Sequence, residues 1–288
     1  MSNPLLNDKA FNRAVSRTPD QSGWASPNNS AQDIARGTTP TQQAPTQWNP
    51  PITDGEMTPW RSANPMTANG AMSATLLLMV FLLAAASFGW AQVPDAIDGA
   101  QPAFPAWTIV GIFVGLACAL VITFKPLMAR FLAPVYAIAQ GVAIGAISKA
   151  FNNAYSGIVL QAVGATLGVF IVMLVAYRTG VIRVTAKFRR VVIGATLGVF
   201  VFYMASFVIG LFGVDIFPQG SSLMSIGFSF LVAGIAALNL ALDFDFIEKA
   251  EAAGAPKAME WFAAFGLLVT LVWLYLEILR LLAKLRDR

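Results

Sequence analysis

No histidine occurs among the 288 residues, and cysteine occurs once, at Cys118. The first absence excludes His-ligated zinc, histidine-based catalytic triads and the usual imidazole pH switch. The second excludes a disulfide within the chain; Cys118 sits in an apolar stretch, where it reads as a small polarisable core residue rather than a reactive thiol. Charge is scarce too, at 12% of the chain against about 25% in a soluble domain. Neither Gly-x-Gly-Asp nor His-Glu-x-x-His is present, so no intramembrane protease is expected and the chain is read as a non-enzyme without a cofactor. Proton chemistry, if any, falls to carboxylates.

What the chain has in excess is apolar sequence, 57% of its residues. Unbroken runs near 20 residues match a hydrocarbon core of about 30 Å at about 1.5 Å per helical residue. Seven such runs are predicted, at 71–90, 106–124, 131–148, 157–176, 191–213, 221–242 and 258–282. Backbone groups in lipid must pair internally, and a period of two with aromatic girdles is missing, so the reading is all-α: a seven-span helical bundle in a lipid bilayer. Gly111 and Gly115, Gly141 and Gly145, Gly164 and Gly168, and Gly194 and Gly198 each form a small-xxx-small pair, predicted to let helices approach closely. The heptapeptide Gly-Ala-Thr-Leu-Gly-Val-Phe occurs twice, at 164–170 and 194–200. Convergent packing or an inverted repeat of a transporter would each produce it.

Residues 1–65 differ in kind, with nine of the sixteen prolines and much Asn, Gln, Ser and Thr. This segment is predicted to be a disordered cytoplasmic tail, punctuated by Trp24, Trp48 and Trp60, that is able to dock a membrane-protein partner; residues 66–288 form the membrane domain. Alternate loops carry nine basic residues against one, with Arg178, Arg183, Lys187, Arg189 and Arg190 in a single loop and only Asp95 and Asp98, or Asp215, in others. The N-terminus and the basic loops are therefore predicted to be cytoplasmic, and the net charge of +4 reads as a topology signal rather than a nucleic-acid patch. Arg280, Lys284, Arg286 and Arg288 then emerge on the far side if the seventh segment crosses fully, which is the reading adopted here; a re-entrant seventh helix would leave them cytoplasmic.

Ionisable groups in apolar helices are the default functional residues. Glu277 lies in the seventh span, with Arg280 and Lys284 as local partners, and Asp243 and Asp245 lie where the sixth ends. Asn239, one turn before Asp243, is placed to hydrogen-bond to it. Two carboxyls that face each other can share a proton, and deprotonated they attract a hard cation such as Ca²⁺. With a turn near Gly254, straight helices would put Asp243 and Glu277 about 15 Å apart in depth, so they meet only if the helices are offset or extra residues form an excursion. Asp245 is the alternative partner. Lys125, at the end of the second span on the side of Asp243, is either a cation holding a closed state or an interfacial snorkelling lysine.

The order of the spans, Met66-Thr67 before the first, Pro134-Val-Tyr-Ala with Gly141 and Gly145 in the third, Asp243-x-x-x-Ile247 ending the sixth, and Leu274-Tyr-Leu-Glu-Ile278 with Leu281 in the seventh together resemble the Bax inhibitor-1 family in its bacterial form. The resemblance covers residues 66–285. It implies a multi-pass protein of the bacterial cell membrane, a pH-sensitive calcium leak as its activity, and Asp243 and Glu277 as the sensing pair. Gln140 stands where many relatives would carry an acid, leaving a neutral oxygen there. Two other classes remain open on the sequence: an interaction protein that modulates proteolysis or stress responses through its tail, and a proton-coupled transporter.

Overall fold

The computed structural model describes residues 64–95, 106–210, 212 and 222–288, all within one unit of the chain, 57–288. The predicted tail, with its three tryptophans, and the loop residues Asp98 and Asp215 lie outside the described residues. Seven helices carry the described chain: α1 Ala68–Ala91, α2 Ala106–Phe124, α3 Ala129–Ala154, α4 Ile158–Arg178, α5 Ala186–Gly210, α6 Leu223–Ala252 and α7 Met259–Arg286. Each is long and apolar enough to cross a membrane, and no strand occurs among the described residues. Most helices overrun the apolar runs by some residues, because helical hydrogen bonding continues into the polar ends.

Local chemistry marks the helix ends. Thr67 and Ser222 cap α1 and α6, accepting from Gly70 N at 3.0 Å and Ser225 N at 3.2 Å. After α6, Gly254 at φ 65° takes the left-handed conformation that closes a Schellman turn, with Ala255 N donating to Ala250 O at 3.0 Å and Gly254 N to Glu251 O at 2.9 Å. That turn receives the chain just before α1. Met66 N donates to Ala255 O at 2.7 Å, Lys257 N donates to Asn64 O at 3.1 Å, and Pro65 and Pro256 form an antiparallel bridge. Two carboxylates complete the clasp: Glu260 accepts from both the amide and the hydroxyl of Thr67 at 3.1 Å, and Glu251 accepts from Ala68 N at 3.0 Å. Negative charge at a helix N-terminus is favourable.

α7 runs through the centre from this basic end to the opposite, far end. There Arg286 donates to Ser156 O at 2.8 Å and Tyr155 donates to Asp287, a bond that pushes the Tyr155 phenol above its ordinary pKa. Of the seven helices α7 is the most buried and α5 the least. One face of α7 packs Ala264 and Leu268 against Leu78 of α1 and Ala133 and Ala137 of α3; another packs Leu267, Leu274 and Leu279 against Ile158 of α4 and Ala236 and Leu240 of α6. Leu76, Phe113, Leu160, Val201 and Phe230 point outward, a surface suited to lipid.

The glycine pairs divide. A side chain at Gly141 or Gly145 would strike the backbone of Leu82 or Ala86 in α1, and one at Gly111 or Gly115 would meet Ala139 or Gln140 in α3. Gly111, Gly141 and Gly145 let backbones approach, while Gly115 makes room for the Gln140 side chain. Around Gly164, Gly168, Gly194 and Gly198 there is nothing within 4 Å of an added Cβ, so the expectation that all four pairs pack is corrected for two of them. Both copies of the heptapeptide turn these glycines outward. Gly145→Val should therefore lower stability by about 1–3 kcal/mol through overpacking. Gly168→Val should stay within about 0.5 kcal/mol of the parent. Thermal unfolding in detergent reads the difference, and equal losses would contradict this placement.

α5 is attached by a single stripe. Arg189, Thr196 and Tyr203, seven residues apart, alternate with the buried Val192 and Val199, so one side meets α6 and α7 while the rest faces outward.

Candidate functional site

Three polar levels follow that stripe along the α6–α7 pair. At the basic end Asp245 is buried and holds two cations, Arg189 at 2.6 Å and Lys249 at 2.8 Å, the latter one helical turn away. Both its oxygens are thereby satisfied, which makes it a structural anchor for α5 rather than a free carboxylate. Glu248 beside it accepts from the Tyr177 hydroxyl of α4.

At the middle level the two expected neighbours separate. Asn239 donates to Thr196 Oγ1 of α5 and to Ile235 O, each at 2.8 Å, and not to Asp243. Asp243 points the other way, towards α7, where a Cβ on Gly266 would lie 3.7 Å from Oδ1 and the nearby Thr270 hydroxyl donates to Gly266 O at 3.1 Å. Its Oδ2 is buried with no partner. Residues one turn apart share a helix face, but a side-chain rotamer turned to another helix overrides that proximity.

Glu277 occupies the third level, 2% exposed. Its Oε1 accepts from Tyr203 Oη of α5 and from Arg280 Nη1, both at 2.8 Å, and Arg280 also donates to the Tyr203 oxygen at 3.0 Å. The guanidinium lies 5.5 Å from the Tyr203 ring centroid, within cation–π range. Further along, the buried Lys284 donates to Ser229 Oγ at 2.9 Å and to Ser225 O at 3.3 Å. The second oxygen of Glu277, Oε2, is buried without a partner.

The structure does not bring Asp243 and Glu277 together. Asp243 is level with Gly266 and Thr270, and Glu277 lies 11 and 7 residues beyond them, about 16 and 10 Å along the helix. The depth offset expected from ideal helices stands, because the α6–α7 turn is short and makes no excursion. Lys125 is exposed at the end of α2 and is in no ion pair among the described residues, so no contact holds it to Asp243. Gln140 is half-buried in the α2–α3 contact, its amide oxygen against Gly115.

Sequence reasoning missed Tyr203, Thr270, Ser225 and Ser229. Tyr203 carried a signal nonetheless: Arg189, Thr196 and Tyr203, spaced by seven, define one face of α5. Chemically, the arrangement supplies two membrane-embedded carboxyls, each with one unsatisfied oxygen able to take a proton or a hard cation. Among the described residues no three acidic, His or Cys side chains converge into a metal cage.

The model of a family described as Bax inhibitor 1 like matches residues 3–287, a span that extends into the segment the sequence resemblance left aside. No curated protein matches the chain significantly.

Proposed function

The chain belongs to the Bax inhibitor 1 like family, and from that membership we propose that it is a pH-sensitive cation leak, with calcium as the permeant ion and the basic end in the cytoplasm. The observation that carries this reading is the pair of unsatisfied carboxyl oxygens on adjacent helices, Asp243 Oδ2 and Glu277 Oε2, at separate depths of one multi-pass bundle. Buried unpaired oxygens are costly, and their retention in apolar helices favours a functional role. Calcium takes oxygen ligands, and a single carboxyl at each level, that of Glu277 already shared with Arg280, would hold it weakly enough to release it, as conduction through successive sites requires. Protonation of either carboxyl would remove the charge that attracts the ion, which couples flux to pH.

The purified full chain, reconstituted in liposomes loaded with a calcium dye, is expected to pass calcium faster than protein-free vesicles and at different rates at acidic and neutral pH. Flux equal to protein-free vesicles at both would remove the proposal. For orientation, Thr185→Cys in a Cys118→Ala background should resist an impermeant thiol reagent applied to intact cells; ready labelling would reverse the assigned sides.

A further inference from the structure

A groove of about 550 Å³ runs between α1 and α4, with α3 and α7 as its floor. On α1 it extends from Met72 to Trp90, about 27 Å at the helical rise. Leu76, Leu83 and Leu167 line it and are also exposed, so it opens sideways to the bilayer. Its hydroxyls are already engaged. Thr75 donates to Ala71 O at 2.8 Å, Ser87 to Leu83 O at 2.9 Å and Thr166 to Ala162 O at 2.7 Å, while Ser148 and Tyr275 bond each other at 2.7 Å. A wall whose hydroxyl donors are all met suits hydrocarbon.

The far end of the groove has a different character. Trp90 forms part of the wall, and Lys149, next to the wall residue Ser148, holds its ammonium 5.3 Å from the Trp90 ring centroid. An aromatic ring and a lysine at the end of a membrane span are the usual reader of a lipid headgroup. The carboxylate now paired with Lys149 belongs to Asp95, which is 86% exposed and stays solvated when another anion replaces it.

We infer that this groove binds an anionic glycerophospholipid, one acyl chain along α1 and α4 and the phosphate at Lys149. The lateral opening decides for a two-chain lipid of the bilayer, because the second chain remains among its neighbours outside Leu76, Leu83 and Leu167. The site does not depend on cation transport, and its test does not measure it.

The experiment uses the full chain in zwitterionic vesicles containing small fractions of brominated phospholipid, and reads quenching of Trp90 as the difference from Trp90→Phe. Brominated anionic lipid should quench with a saturating curve, half-complete at a several-fold lower mole fraction than its zwitterionic counterpart. Lys149→Gln should erase that headgroup difference, and Val163→Phe, which narrows the groove, should weaken quenching by both lipids. Quenching that rises in proportion to mole fraction and equally for both headgroups would mean ordinary boundary lipid and overturn the site. Saturation with the headgroup preference intact in Lys149→Gln would overturn the assignment of the phosphate.

Discussion

Neutralising Asp243 and Glu277 together should reduce calcium flux by the product of the two single losses. The carboxyls lie about 10–16 Å apart in depth and share no neighbour, and effects at sites more than about 7–10 Å apart generally add as free energies. If each substitution, Asp243→Asn or Glu277→Gln, raises the crossing barrier by about 1.4 kcal/mol, each costs about tenfold and the double variant about a hundredfold. Initial rates of dye signal in proteoliposomes, normalised to inserted protein, give the three ratios. A double variant no slower than either single one would mean that the two groups serve one shared ion or proton, which requires a conducting state in which α6 and α7 have slid past one another. Two independent carboxyls also predict distinct changes in the pH profile for the two single variants.

The second large effect concerns stability. Glu277 is 2% exposed and relies on Arg280 and Tyr203 at the same oxygen. Arg280→Met removes the guanidinium and leaves the buried carboxyl with one hydrogen bond, from Tyr203. Breaking such a pair from one side costs about 3–5 kcal/mol, and the lower part of that range is expected because the Arg280 side chain is 36% exposed. Replacing both partners, in Glu277→Gln with Arg280→Met, should recover part of the loss, since the carboxylate goes with the guanidinium while the buried Lys284 nearby keeps its bonds to Ser229 and Ser225. Thermal unfolding in detergent measures both. An unchanged midpoint in Arg280→Met alone would show that the pair contributes nothing to folding.

Hydropathy made the seven spans legible, because lipid selects apolar length directly and the helical rise converts it into thickness. The separation of Asp243 from Glu277 followed from the same rise and a short turn. Facing was less accessible. Gly141 and Gly164 stand in identical small-xxx-small patterns, yet one meets the α1 backbone and the other meets nothing within 4 Å. Spacing defines a stripe on a helix, but which neighbour covers it depends on the whole arrangement. Asn239 shows this at a single side chain: the nearest polar group in sequence was Asp243, and the one it bonds is Thr196 on another helix. The four bonds that fasten α5, through Asp245, Asn239, Glu277 and Arg280, come from residues 43 to 77 positions away, a range over which sequence periodicity carries no information.

The clasp at the start of α1 bears on the order in which the molecule is completed. Its carboxylates come from Glu251 and Glu260, which follow the groups they bond by 183 and 193 residues. At about 5–20 residues per second of synthesis, Glu260 is joined to the chain roughly 10–40 s after Thr67. During that interval the first turn of α1 has only the hydroxyl of Thr67 itself to accept from Gly70 N. Met66 and Asn64 likewise await Ala255 and Lys257. The ribosome thus delivers the start of the first span long before its lock.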